Sequence, residues 1–161
     1  MSAPTSPNWF NEEYRTIAAA VSPRITTLRQ IRSILEPIES EELEISMEDD
    51  DVFSMFVFHN PSKPDVVTIF GHASCRTDKM FAGAAAMCIV ELRQSVTAAE
   101  VEQAAKALAY WAIHPVYDYA AMKLLQNVAG HPDFNGVTPP LSPEVVEVEV
   151  INADALDEDG S

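Results

Sequence analysis

Two cysteines, five glycines and no long apolar run set the first limits on this 161-residue chain. Two thiols, Cys75 and Cys88, cannot make the disulfide framework of a small secreted scaffold. Five glycines leave little material for phosphate-cradling loops, and G-x-x-x-x-G-K-[ST], G-x-G-x-x-G and G-x-S-x-G are all missing. The longest apolar stretch, Met80 to Val90, is far short of the ~20 residues a membrane helix needs. No basic n-region followed by an apolar core opens the chain, where Met1–Asn8 is rich in Ser and Pro. Together these features predict a cytoplasmic protein with reduced thiols, no membrane partner and no nucleotide cofactor.

Basic residues are missing from two whole segments. Residues 36–51 hold nine acids and no base, and residues 144–161 hold seven acids and no base. The stretch between them is nearly balanced, so the net charge of −15 is local rather than spread over the surface. Such blocks read as solvated faces or tails. The field they produce repels a phosphate backbone, and Arg24, Arg29 and Arg32 are too few to offset it, so nucleic acid is not an expected partner.

What is present is core material. Hydrophobic residues make up 47% of the chain, enough for one domain to fold without metal or disulfides. The expected organisation is an arm at 1–8, one α+β domain over 9–152, and a disordered acidic tail at 153–161. Phe10, Tyr14, Ile17 and Val21 recur at helical spacing, predicting a helix over 12–21. Ser22-Pro23 reads as a second helix start, with Ile25, Leu28, Ile31 and Leu35 as its stripe and Pro37 as its stop.

Leu43, Ile45 and Met47 alternate with Glu42, Glu44 and Glu48, the pattern of a half-buried strand. Val52 to His59 is apolar on both faces and suits an inner strand. Asp65 to Cys75 predicts a third strand, with Gly71 marking a bulge or a close approach. Met80 to Leu92 fits a buried strand or a buried helix by periodicity alone; the strand is preferred because a helix start follows it. Thr97 and Glu100 form a capping box that opens an alanine-rich helix to about Ile113. His114-Pro115 breaks that helix, a second segment runs from Val116 to Ala129, and Gly130 stands at a left-handed C-cap position. Glu144 to Ile151 alternates again as a last strand. The expected fold is therefore α+β in the order α-α-β-β-β-β-α-α-β, an antiparallel four- to five-stranded meander with helices packed on one face.

No residue set carries chemistry strongly. His72 and Cys75 could pair as base and thiol, but three residues apart on a strand they point to opposite faces. The histidines and cysteines show no zinc spacing, and Asp49-Asp50-Asp51 lacks the pattern of a calcium loop. No catalytic or metal residue is therefore assigned. The most suggestive surface is aromatic: Tyr110, Trp111, His114, Tyr117 and Tyr119 surround the helix break, and Tyr and Trp suit contact surfaces.

The middle of the chain carries LEISMEDDDVFSMFVFHN (43–60), DVVTIFGHAS (65–74) and MCIVELRQSVTAAEVEQAAKALAYW (87–111). These stretches, with Val96-Thr97 leading to Val101 as the helix start, resemble the YbjN-like family, small bacterial domains similar to type III secretion chaperones. The resemblance implies a non-enzymatic protein-binding module, an adaptor or a chaperone, with a protein partner or self-association and no cofactor. A structural or assembly component of a phage or other large particle is the alternative, and a small His/Cys-dependent enzyme the third.

Overall fold

The computed structural model describes residues 12–37, 53–60, 62–94, 96, 100–135 and 148–152. Helix α1 spans Glu12–Val21, as its periodicity predicts. Four strands follow: β1 (Pro23–Pro37), β2 (Phe53–His59), β3 (Val66–Arg76) and β4 (Met80–Leu92). Two helices come next, α2 (Val101–Trp111) and α3 (Ile113–Val128), then a single 3-10 turn at Pro132–Phe134 and strand β5 (Glu149–Asn152). The five strands form one sheet in the order β1-β4-β3-β2-β5. Strands β2, β3 and β4 make the antiparallel meander, β1 adds antiparallel to β4, and β5 adds parallel to β2. The fold is α+β as expected, with a mixed sheet rather than a purely antiparallel one.

One element is corrected. Residues 23–37 form a strand, not a second helix. Pairing with β4 slips at Ile25/Thr27 and again at Gln30/Arg32. Each slip inserts one extra residue, so side chains on one face are three apart instead of two across each bulge. Ile25 and Leu28 share a face for this reason, opposite Val90 and Cys88. Two bulges in one strand thus imitate the 3–4 spacing of a helix. Met80 to Leu92 is a strand throughout. The predicted strand at 42–48 and the capping residue Thr97 lie outside the described residues, as do the arm at 1–8 and the tail at 153–161.

Both helices after β4 pack on the same side of the sheet. On that side lie Met55, Val57, Ile69, Ala73, Ala84, Ala86, Cys88 and Val90, all buried. Alanines on both surfaces (Ala82, Ala84 and Ala86 below; Ala105, Ala109, Ala112 and Ala120 above) let helix and sheet approach closely. The approach is close at Gly71, where a Cβ would overlap the Val116 side chain and meet the Phe53 ring at 3.1 Å. The close-approach expectation for Gly71 is met by a helix, not by a bulge.

The break between α2 and α3 falls at Ala112, which leaves helical geometry at φ −93°, ψ 4°. Pro115 has no N–H to give the Trp111 carbonyl four residues back, and its ring crowds that carbonyl, so the chain turns there. The ladder resumes at once, because the Val116 N–H donates to the Ala112 carbonyl at 3.1 Å. Gly130 takes φ +79°, the left-handed conformation expected of it. Among the described residues no helix is long and apolar enough to cross a membrane.

Candidate functional site: an aromatic sheet face

Strand geometry sends alternate side chains to opposite faces, so the side chains between the buried ones emerge on the far side of the sheet. Those on β2 and β3 include Phe56, Phe58, Thr68 and Phe70, and β4 adds Met87 and Ile89 opposite Phe70 and Thr68. Ile151 of β5 pairs with Phe58 at the edge. All of these are half-buried, neither sealed in the core nor fully solvated. No described helix packs on them.

Three rings anchor this face. Phe56 stacks on Phe70 with centroids 5.1 Å apart, and Phe58 meets the edge of Phe70 at 5.3 Å. Phe56 and Phe58 meet at 5.7 Å, so the three form one contiguous cluster. Offset and edge-on pairs of this kind add to the area they bury. The three rings stand on regular, hydrogen-bonded strands, which hold them as one aromatic floor. Val52 to His59 is apolar on both faces in the sequence, which suits the inner position β2 takes between β3 and β5.

Toward β1 the same face becomes basic. Gly83 leaves room for the His72 imidazole, whose Nε2 would stand 2.7 Å from a Cβ there. Burial holds His72 below the ordinary histidine range, and the Arg32 guanidinium lowers it further. His72 is thus a neutral imidazole at neutral pH, on the opposite face from Cys75. Cys75 and Cys88 both sit on the helix-covered side, at 2% and 0% exposure, and burial pushes the Cys88 thiol up to about 11. A base–thiol pair from His72 and Cys75 is therefore not assembled. Among the described residues no group of three His, Cys, Asp or Glu side chains could hold a metal.

The aromatic positions around the helix break do not form one groove. Tyr110 is buried, stacks on Tyr14 at 5.2 Å, and its hydroxyl accepts from the Val148 N–H at 3.4 Å. Tyr117 is buried against the edge of Phe53 at 5.1 Å; burial, with the Asp118 carboxylate, pushes its phenol upward. Tyr119 is half-buried, with the Lys123 ammonium 5.5 Å from its ring centre. Trp111 and His114 are exposed, and Trp111 rims a cleft between α1 and α2 with Tyr14, Arg15 and Ala107. The two clefts between α1 and α2 hold about 160 and 190 Å³, below the ~300–1,000 Å³ of small-molecule sites, and a third of about 460 Å³, lined by Glu12, Arg15, Thr16 and Ala19 of α1, lies wide open to solvent.

No known protein family and no curated protein matches the chain by sequence. Solved structures do match in fold. The SecB-like chaperone Rv1957 of Mycobacterium tuberculosis, in complex with a ChAD peptide from the Rv1956 HigA1 antitoxin, superposes with a TM-score of 0.50 at 13% identity. The match covers 84% of this chain and 97% of the chaperone chain. A protein of unknown function from Streptococcus agalactiae matches with a TM-score of 0.50 at 10% identity, over 74% of this chain and 97% of that one. At these identities the likeness concerns the fold.

Proposed function

We propose that this protein is a chaperone-like binding module that holds an apolar segment of another polypeptide on the sheet face that no described helix covers. The observation that carries the reading is the Phe56–Phe58–Phe70 cluster, contiguous and half-accessible on a face that no described helix covers. Contiguous apolar surface of this kind marks contact sites in soluble proteins. The fold it shares with a SecB-like chaperone captured with a peptide supports the same reading.

The partner is an extended or unfolded chain rather than a small molecule, because a flat sheet face offers area and no enclosure. Regular strands hold the rings in place, so binding energy is not spent on ordering the site. Trp111, His114 and Tyr119, on the helix side, form a second and smaller contact. Both thiols stay reduced, and the protein works in the cytoplasm without a cofactor.

Titrating the full chain into a fluorescently labelled, reduced and unfolded client tests this reading. Binding with suppressed client aggregation is expected from the native chain and is lost on Phe58→Thr plus Phe70→Thr, which keep strand propensity while removing two rings. Unchanged binding by a folded double variant refutes the sheet-face site.

A further inference from the structure

The sheet face that carries the aromatic cluster has opposite charges on its two sides. One row of facing residues crosses all five strands. Arg29 of β1 pairs with Met87 of β4, Met87 with Phe70 of β3, Phe70 with Phe56 of β2, and Phe56 with Glu149 of β5. Residues directly opposite each other in a sheet send their side chains to the same side. An exposed guanidinium therefore stands at one end of the row and an exposed carboxylate at the other, with three apolar side chains between them. Arg32, opposite Ala85 in the neighbouring row, adds a second exposed cation beside Arg29. Among the described residues Arg29, Arg32 and Glu149 make no ion pair. Arg24, farther along β1, stands opposite Glu91, so its charge is offset within the protein.

We infer that this face selects client segments with opposite charges about six residues apart, on either side of two apolar residues, the basic end lying over Glu149 and the acidic end over Arg29 and Arg32. The inference rests on the client-binding reading above and gives the client its chemistry.

The spacing follows from strand geometry. Neighbouring strands lie ~4.8 Å apart, so the row measures ~19 Å from Arg29 to Glu149. An extended chain laid across the strands turns every second side chain to the sheet and advances ~6.7 Å between them. Three such steps cover ~20 Å. The first, third, fifth and seventh side chains of the segment thus meet Glu149, then Phe56 with Phe70, then Phe70 with Met87, and finally Arg29. A segment with its charges in the reverse order turns round, so that its basic end still lies toward β5. The net charge of −15 alone favours doubly basic segments. Arg29 and Arg32 give an acidic end its place against that field.

Four end-blocked, fluorescently labelled peptides test the inference against the full chain by anisotropy. All share a Thr-Leu-Thr-Leu-Thr centre, flanked by Lys and Glu, by two Lys, by two Glu or by two Gln. The Lys/Glu peptide should bind about two- to thirty-fold tighter than the others at low salt, the range two exposed ion pairs supply, and high salt should shrink the advantage. Arg29→Glu with Arg32→Glu should move the preference to the two-Lys peptide, and Glu149→Lys should move it to the two-Glu peptide. All three changes together should restore the Lys/Glu preference. The three positions are exposed, so the circular dichroism should not change. Tightest binding of the two-Lys peptide to the native chain, or a preference that the reversals fail to move, overturns the charge selection. So does equal binding of all four peptides, and if Phe58→Thr plus Phe70→Thr abolishes that binding the client site itself stands. Binding of none of the four refutes the client site and the selection with it.

Discussion

The backbone N–H of Gln30, at the second bulge of β1, donates to the Tyr119 hydroxyl of α3 at 3.2 Å. The register of β1 against β4 shifts between Gln30 and Arg32, and the helix supplies an acceptor for the amide at that shift. Helix α3 is thereby tied to the edge strand as well as to the centre of the sheet, where Val116 rests on Gly71. Tyr119→Phe removes the acceptor and keeps the ring. The expected cost is about 0.5–1.5 kcal/mol in urea unfolding, with the loss in the midpoint and not in the slope. An unchanged midpoint means that water replaces the hydroxyl without cost.

The two strand glycines should behave differently. At Gly71 a methyl group meets Val116, a stiff β-branched side chain on a packed helix, so Gly71→Ala should cost about 1–3 kcal/mol by overpacking. At Gly83 the nearest atom is the far end of the His72 imidazole, which can swing toward solvent. Gly83→Ala should change stability by about 0.5 kcal/mol or less. Thermal melts of the two variants side by side decide the matter, and equal losses contradict the tight α3–β3 contact.

Histidine 72 gives a sign for the acid dependence. Its folded pKa lies below the ordinary value of 6.5 through burial first and Arg32 second, so the unfolded chain binds its proton more readily. Stability from this group is complete above pH 6.5 and is lost as pH falls through the lower folded value. His72→Gln should therefore flatten the slope of stability against pH below about pH 6.5, the unperturbed histidine pKa. A slope unchanged by the substitution assigns the acid sensitivity elsewhere.

Thiol chemistry should be silent in the folded protein. Cys75 and Cys88 are buried under the helices, and the Cys88 thiol is raised to about 11, so little thiolate forms at pH 8. Both should resist alkylation in buffer and react together in denaturant, followed by mass spectrometry. Rapid modification of either one in the native state contradicts the packing of α3 on the sheet.

Much of this architecture is legible in the residues themselves. Phe53, Met55 and Val57 against Phe56 and Phe58 announce a strand with two apolar faces, and Gly71 among Val and Ile announces a close approach. Gly130 and Pro115 mark the end of one helix and the turn before it. What misleads is β1, because a bulge changes the period of a strand to that of a helix over the residues a pattern search reads. Its status as a strand depends on β4, some sixty residues away, and no local propensity reports that. The aromatic cluster was missed for a related reason. Phe56, Phe58 and Phe70 become one surface only when β2 and β3 pair in register, whereas Tyr110 to Tyr119 are neighbours in sequence and are then divided between core and surface by the helix kink.

The most direct test of the central claim is a residue-level map of where a client touches. Backbone amide chemical shifts of the isotopically labelled chain, followed during titration with an unlabelled apolar peptide, provide it. The account predicts the largest changes on β2, β3 and β4 around Phe56, Phe70 and Met87, with smaller ones on α2 and α3 at Trp111, His114 and Tyr119. Changes confined to Trp111, His114 and the cleft beside α1, with the sheet silent, would contradict it.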